Sequence, residues 1–336
     1  MITNGHLKQV SIVGTGSYLP ERVLTNADLA EMVDTSDEWI QTRTGIRERH
    51  IAADDEAASD LGAKAAAVAI EDAGITASNL DVIIVATVTP DMPFPSTACF
   101  VQEKLGAKNA FCFDIEAACS GFVYALDVGY RFLASGGGKR ALVIGTEKLS
   151  GVTDWNDRTT CVLFGDGAGA VVLQAETNGR GIMGTVAGSD GSLAGLLSIP
   201  GGGSRNPINS ENFSNGMNYL KMAGNEVFKH AVRCMCDAST KVLDQCQVSI
   251  EDVDWIVPHQ ANLRIIQAIA QRLGTNMEKV ILNLEEVGNL SGASVPVALD
   301  EAARSGRLGN GDTILFIAFG GGFTWGATLM EWNDGK

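Results

Sequence analysis

Residues 69–86 read AIEDAGITASNLDVIIVA and residues 242–259 read VLDQCQVSIEDVDWIVPH, and the two align without a gap 173 positions apart. Each copy runs from a helix end through an acidic turn into a buried strand, Asp81 to Thr87 in the first and the segment ending at His259 in the second. Further matches follow in the same order: Leu105-Gly106 with Leu273-Gly274, Ser120-Gly121 with Ser291-Gly292, and Ala125-Leu126-Asp127 with Ala298-Leu299-Asp300. Each is short and partly what any βα unit would give; their shared order along the chain is the stronger signal. It points to one duplicated fold with two similar α/β halves, residues 1–175 and 176–336.

Around the first copy, strands and helices alternate. Val10 to Gly14 reads as a short strand. Gly14-Thr15-Gly16 lacks the third glycine of a dinucleotide loop, and Tyr18-Leu19-Pro20 stands where its helix would begin, so a turn is expected there. Thr25 is placed to cap a helix starting near Asn26, and Ser59 to Ala73 is an alanine-rich amphipathic helix with Gly74 beyond its end. After the buried strand, Pro90, Pro93 and Pro95 exclude regular structure, and Thr97 to Leu105 forms a helix closed by Gly106. An apolar run from Ala110 to Ile115 precedes a helical pattern from Phe122 to Leu133, followed by a strand from Ala141 to Gly145 and a turn over Phe164 to Ala170. The alternation implies a parallel-rich α/β layer.

Composition narrows the functional classes. Apolar content of 45% with 19% charged residues is globular, and 336 residues suffice for a substantial core. A formal charge of -15 argues against a nucleic-acid partner, because phosphates would be repelled; an acidic partner would need a local basic patch. Met1 to Val10 lacks the apolar core of a signal peptide, and no apolar run reaches the roughly 18 residues of a membrane span. A cytoplasmic protein without a membrane partner is expected. Its seven cysteines are an odd number without a framework spacing, so reduced thiols are expected. Cys234-Met235-Cys236 is the only close pair and nothing supplies the remaining ligands of a zinc site, which leaves core-facing helix residues.

Four stretches carry candidate chemistry. Cys119, in Ile115-Glu116-Ala117-Ala118-Cys119-Ser120-Gly121, falls at a strand-to-helix junction, where unpaired N–H groups and the helix dipole favour a thiolate. The alternative is a small buried hydrophobe. His259 ends the repeated strand in Pro258-His259-Gln260-Ala261-Asn262, whereas His6 and His50 have polar neighbours and His230 lies within a helical stretch. Asn289 precedes Leu290-Ser291-Gly292 in a small-residue turn that matches the position of Cys119, and is either functional or a turn asparagine. If the halves pack about a pseudo-two-fold axis, equivalent ends converge and Cys119, His259 and Asn289 share a pocket. Gly320-Gly321-Gly322 follows the apolar strand Thr313 to Phe319. It either brings backbone N–H groups against a developing oxyanion or forms a flexible hairpin turn.

These stretches together resemble β-ketoacyl-[acyl-carrier-protein] synthase III. The resemblance runs nearly end to end, since Thr35 to Arg49, Phe164 to Ala170 and Met222 to Phe228 also fit that family. It implies a thiolase-like fold of five layers, α-β-α-β-α, a homodimer, and neither metal nor redox cofactor. It also implies the reaction: decarboxylative Claisen condensation of acetyl-CoA, or another short acyl-CoA, with malonyl-acyl carrier protein. Cys119 would carry the acyl group, with His259 and Asn289 donating to the malonyl thioester oxygen and the N–H groups of Cys119 and Gly321 holding the oxyanion. CoA would meet Trp39, Arg43, Thr44, Arg158, Asn225 and Asn262. The carrier protein would dock on Arg264, with Lys221, Lys229 and Arg272 completing a basic patch, and Phe94 with Phe319 would bound the acyl pocket. Ser120, Leu290 and Gly292 depart from the alanine, threonine and alanine of the commoner pattern. Rival readings are a starter-unit synthase for a longer or branched primer, a cysteine thioester hydrolase, and a catalytically silent carrier-protein-binding subunit.

Overall fold

The two copies of the repeated segment become equivalent strands of two equivalent sheets. A computed structural model describes residues 8–176 and 181–333; residues 1–7, which carry most of the signal-peptide reading together with His6, lie outside the described residues. The first sheet contains β1 (Gln9–Tyr18), β2 (Val82–Ala86), β3 (Phe111–Ile115), β4 (Arg140–Lys148) and β5 (Asp166–Glu176), in the spatial order β1-β5-β4-β2-β3. The second contains β6 (Ile182–Ser189), β7 (Trp255–Pro258), β8 (Thr313–Gly320) and β9 (Thr324–Glu331), in the order β6-β9-β8-β7, and a parallel bridge from Ile256 to Val280 continues it beyond β7.

Strand sense repeats with the order. β2 runs parallel to β3 and β4, whereas the β4–β5 and β5–β1 pairs are antiparallel. Likewise β7 and β8 are parallel, and β8–β9 and β9–β6 antiparallel. Each sheet is therefore mixed, which corrects the expected parallel-rich layer: only the strands joined by helical crossovers need to run parallel. β2, the strand VIIVA, is buried along its whole length, as a strand covered on both faces must be.

The longer helices are α1 (Asn26–Met32), α2 (Asp37–Thr44), α3 (Ala58–Asp72), α4 (Thr97–Leu105), α5 (Gly121–Ala134), α6 (Gly224–Cys246), α7 (Leu263–Leu273) and α8 (Ser294–Arg304). α3 and α4 cover one outer face, α6 lies on the other with α7 packed against it, and α5 and α8 lie between the sheets, each touching strands of both. The result is the α-β-α-β-α layering of the thiolase-like fold. α5 buries residues on more than one side, Phe122, Val123, Ala125, Leu126 and Leu133 among them, as a helix between two sheets requires. Cys234, Met235 and Cys236 are all buried in α6.

Two glycine-rich stretches expected to be turns are strands instead. β1 continues through Gly14 and Gly16, and a Cβ at either would overlap the α3 backbone at Ala69 or Ala65. The stretch 164–170 likewise leads into β5, where a Cβ at Gly169 would stand 2.6 Å from the Val297 nitrogen of α8. In both places glycine lets a helix lie directly on the sheet. This use of glycine reads locally like a turn.

Candidate active site

Parallel strands deliver their C-terminal ends to one side of a sheet, and both repeats place a chemical group there. After β3 the chain turns at Ala118, whose φ of 47° is unusual for a residue with a side chain, and Cys119 follows immediately before α5. Such a backbone costs on the order of 1–3 kcal/mol and persists only where its surroundings hold it. Here Thr324 Oγ1 donates to Ala117 O at 2.8 Å and Ser120 Oγ donates to Thr324 O at 3.0 Å. Ser120, one of the departures from the family pattern, is thus spent on the scaffold.

Cys119, His259 and Asn289 line one cavity of about 740 Å³ together with Gly321 and Phe319. The glycine run is a hairpin turn, between β8 and β9, that also brings the backbone close to Cys119. A Cβ on Gly320 would overlap the Cys119 nitrogen, so glycine is required for this close approach.

The electrostatics correct one expectation. Burial pushes the Cys119 thiol up to about 12, aided by the nearby Glu147 carboxyl, while a hydrogen bond with Ser291 acts in the opposite sense. The resting group is a thiol. Helix-start N–H groups are present but do not outweigh desolvation. His259, 3% exposed, is held neutral by burial, which lowers its pKa to about 3. Its backbone N–H donates to Ile317 O at 2.7 Å and its Nδ1 faces Ser294 Oγ at 2.6 Å. Asn289 Oδ1 accepts the Ser291 N–H at 2.9 Å, which leaves the Nδ2 amide as the end free to donate.

Sequence reasoning missed Glu147 and the positions of Ser291 and Ser294 around the reacting groups. Glu147 is fully buried at the end of the apolar strand β4, accepting from Thr89 Oγ1 at 2.7 Å, Val88 N at 3.1 Å and Gly292 N at 3.3 Å. Among the described residues no cation pairs with it, and burial raises its carboxyl to about 7. An acidic residue inside a strand of valine and isoleucine was the available signal. Leu290 packs in a small apolar cluster with Val287, Ala293 and Val297, and neither it nor Gly292 reaches the cavity wall.

Toward the mouth, Trp39, Arg43, Thr44, Asn262 and Arg264 line the same cavity. Trp39 carries the Arg43 guanidinium 4.6 Å and the Arg158 guanidinium 5.3 Å from its ring centre, arrangements suited to a planar base. Arg158 lies outside the cavity wall, donating to Asp34 O at 2.6 Å, and Asn225 is exposed in the first turn of α6. Thr44 Oγ1 donates to Ile40 O, and Asn262 caps α7 through Arg264 N, so both side chains already serve the scaffold.

Of the basic residues, Lys221 pairs with Asp154, Lys229 with Glu226 and Arg272 with Asp237. Arg264 has no carboxylate partner among the described residues. Phe94 is 86% exposed and lies outside this cavity, whereas Phe319 is inside it, its ring 4.7 Å from that of Phe323.

The family model described as 3-Oxoacyl-[acyl-carrier-protein (ACP)] synthase III matches residues 113–191, and the model for the C terminal of the same enzyme matches residues 243–332. The chain is 54% identical over 324 residues to the β-ketoacyl-[acyl-carrier-protein] synthase III of Desulfitobacterium hafniense, covering 96% of this chain and 98% of that one. Among solved structures it resembles 3-oxoacyl-[acyl-carrier-protein] synthase III from Aquifex aeolicus VF5, with a TM-score of 0.89 at 49% identity over 96% of this chain and 100% of that one. A priming β-ketosynthase from the R1128 polyketide biosynthetic pathway superposes with a TM-score of 0.92 at 35% identity, covering 99% of each chain.

Proposed function

The chain belongs to the β-ketoacyl-[acyl-carrier-protein] synthase III family, and from that premise we propose how its cavity performs the family's reaction. It is an acyltransferase, the initiating condensing enzyme of fatty-acid synthesis. The observation that carries the residue assignment is that a buried thiol, a neutral imidazole and a free amide donor face one cavity.

In the first half-reaction the Cys119 sulfur attacks the acetyl-CoA carbonyl, and CoA leaves as its thiol, carrying a proton. The acetyl group remains as a thioester on Cys119. Malonyl-acyl carrier protein then enters and its C–C bond to the carboxylate breaks. CO2 departs, and the electron pair forms an enolate on the thioester oxygen. His259 and Asn289 Nδ2 donate to that oxygen; a neutral imidazole is the form that burial enforces. The enolate carbon attacks acetyl-Cys119, whose oxyanion faces the N–H groups of Cys119 and Gly321. Collapse expels the Cys119 thiolate, which regains a proton, and releases acetoacetyl-acyl carrier protein. Loss of one such oxyanion donor costs about 3 to 4 kcal/mol of barrier.

CoA is assigned to the mouth, with its adenine between Trp39 and Arg158, Arg43 and Thr44 close by, and its pantetheine arm along Asn225 and Asn262. The carrier protein is assigned to Arg264 together with Lys221, Lys229 and Arg272; of these four, Arg264 alone has no carboxylate partner among the described residues. No cofactor beyond these substrates is assigned, and the cytoplasm is the proposed location. Residues 1–175 and 176–336 are taken as the two halves. A homodimer is supported by the exposed edge strand β3, where Phe111 is 52% exposed beside Phe113, and by the exposed Phe94 in the loop before α4. The partner's Phe94 would close the acyl end opposite Phe319, favouring a two- or three-carbon primer.

Mass spectrometry of the intact protein after acetyl-CoA tests the reading. It expects one acetyl group, absent in Cys119→Ala and discharged as acetoacetyl product by malonyl-acyl carrier protein. Labelling only by longer or branched acyl-CoA would keep the mechanism and replace the primer. A label discharged by water alone would favour a hydrolase and sink the condensation reading.

A further inference from the structure

The decarboxylation step asks more of His259 than neutrality. A neutral imidazole carries one proton on one of its two nitrogens, and only the tautomer protonated at Nε2 can donate to a substrate oxygen while Nδ1 faces the scaffold. Which tautomer exists is set by what Nδ1 meets. That group is Ser294 Oγ, 2.6 Å away and buried at the first residue of α8.

The Ser294 hydroxyl has three neighbours and one proton. It accepts the Gln260 N–H at 3.3 Å, stands 3.0 Å from Ser291 O and meets Nδ1 at the shortest of the three distances. If its proton points at Ser291 O, the ring must carry its own proton on Nδ1, and Nε2 presents a lone pair. If it points at Nδ1, the ring proton sits on Nε2. Ser291 O already accepts the backbone N–H of Ser294, which closes the short turn leading into α8, so that carbonyl does not depend on the hydroxyl. Nδ1 has no other donor among the described residues. An imidazole nitrogen is also a stronger base than an amide oxygen.

We propose that Ser294 is a positioning residue whose hydroxyl donates to His259 Nδ1 and so selects the Nε2–H tautomer that polarises the malonyl thioester. The assignment rests on the decarboxylating role given to His259 above. It also separates two chemistries available to the same three side chains. With Nε2 protonated, the ring is an electrophilic donor; with Nε2 bare, it is a base suited to activating water for hydrolysis. The orientation of one hydroxyl in the shell around the site decides between them.

The test is 15N NMR of histidine-labelled protein, with the His259 signals identified by their loss in His259→Ala. In the unsubstituted protein Nε2 is expected to resonate as a protonated ring nitrogen and Nδ1 as an unprotonated one. Ser294→Ala is expected to shift the pair toward the other tautomer or an average. It should slow CO2 release from malonyl-acyl carrier protein about 10- to 100-fold, the range lost when a partner that orients a metal-bound imidazole is removed. Transfer of acetyl to Cys119 should change less than about threefold, since that half-reaction does not use the Nε2 proton. Ser294→Thr, which keeps the hydroxyl, should restore CO2 release. A protonated Nδ1 in the unsubstituted protein overturns the proposal without reference to any variant, as does an unchanged tautomer in Ser294→Ala. If the tautomer is as expected but His259→Ala releases CO2 at the full rate, the role of His259 fails while the Ser294–His259 hydrogen bond stands.

Discussion

Glu147→Gln isolates the cost of an uncompensated carboxylate near Cys119. The carboxyl is fully buried, accepts only neutral donors and is raised from 4.5 to about 7. Because the folded-state pKa lies above the unfolded one, the native state binds the extra proton between the two values. Stability from this site is therefore fully present below about 4.5 and declines as pH rises, until it is lost above about 7. The slope in that window is about 1.4 kcal/mol per pH unit, so between pH 5.5 and pH 8 the wild type should lose about 2 kcal/mol from this group alone. Glutamine carries no charge and has no such window. Its NH2 would face a backbone N–H where the carboxylate accepted one, a mismatch costing about 1–3 kcal/mol, but that cost does not vary with pH. Urea unfolding of both proteins across this range reads the difference directly. The gap between them should move in favour of the variant by about 2 kcal/mol as pH rises and then level off. A gap that stays constant with pH would refute the reasoning, because Glu147 would then hold the same charge in the folded and unfolded states.

Three further outcomes are expected. Asn289→Asp replaces the amide donor with an acceptor and should slow CO2 release about 10²- to 10³-fold, with acetylation of Cys119 preserved; equal loss in both half-reactions would place Asn289 in the scaffold instead. Gly16→Val forces a side chain into the α3 backbone and should destabilise the protein by about 3 kcal/mol or more in urea, whereas a turn glycine at an exposed site would cost far less. Arg264→Glu should raise KM for malonyl-acyl carrier protein, with a weakened salt dependence, well beyond its effect on acetyl-CoA, which enters by the same mouth, and an equal effect on both substrates would contradict docking at this residue.

Much of the candidate site was legible because its residues sit at the ends of elements. Cys119 and His259 each follow a strand whose apolar run is plain in the sequence, and the internal repeat supplied the symmetry that brings them together. The helices were equally open to reading: Thr25 forms a capping box with Asp28, and Gly74 and Gly106 adopt φ values of 63° and 65° past the ends of α3 and α4. The misread turns share one cause. Gly14, Gly16 and Gly169 carry the local signature of a turn, but their purpose is to admit a helix from a distant part of the chain. Glu147 and Ser294 escaped notice for a related reason, since neither spacing nor neighbours in sequence say what a buried polar side chain meets across the fold.

By itself the sequence determined the duplication, the buried strands, the helix limits and the residue types available for chemistry, because each is written in patterns a few residues to a few turns long. The tertiary structure alone decided the protonation state of Cys119, the neutrality of His259 and the partner of its Nδ1. Those properties depend on desolvation and on hydrogen bonds between groups far apart in the chain, and both arise only when the two halves close around the same cavity.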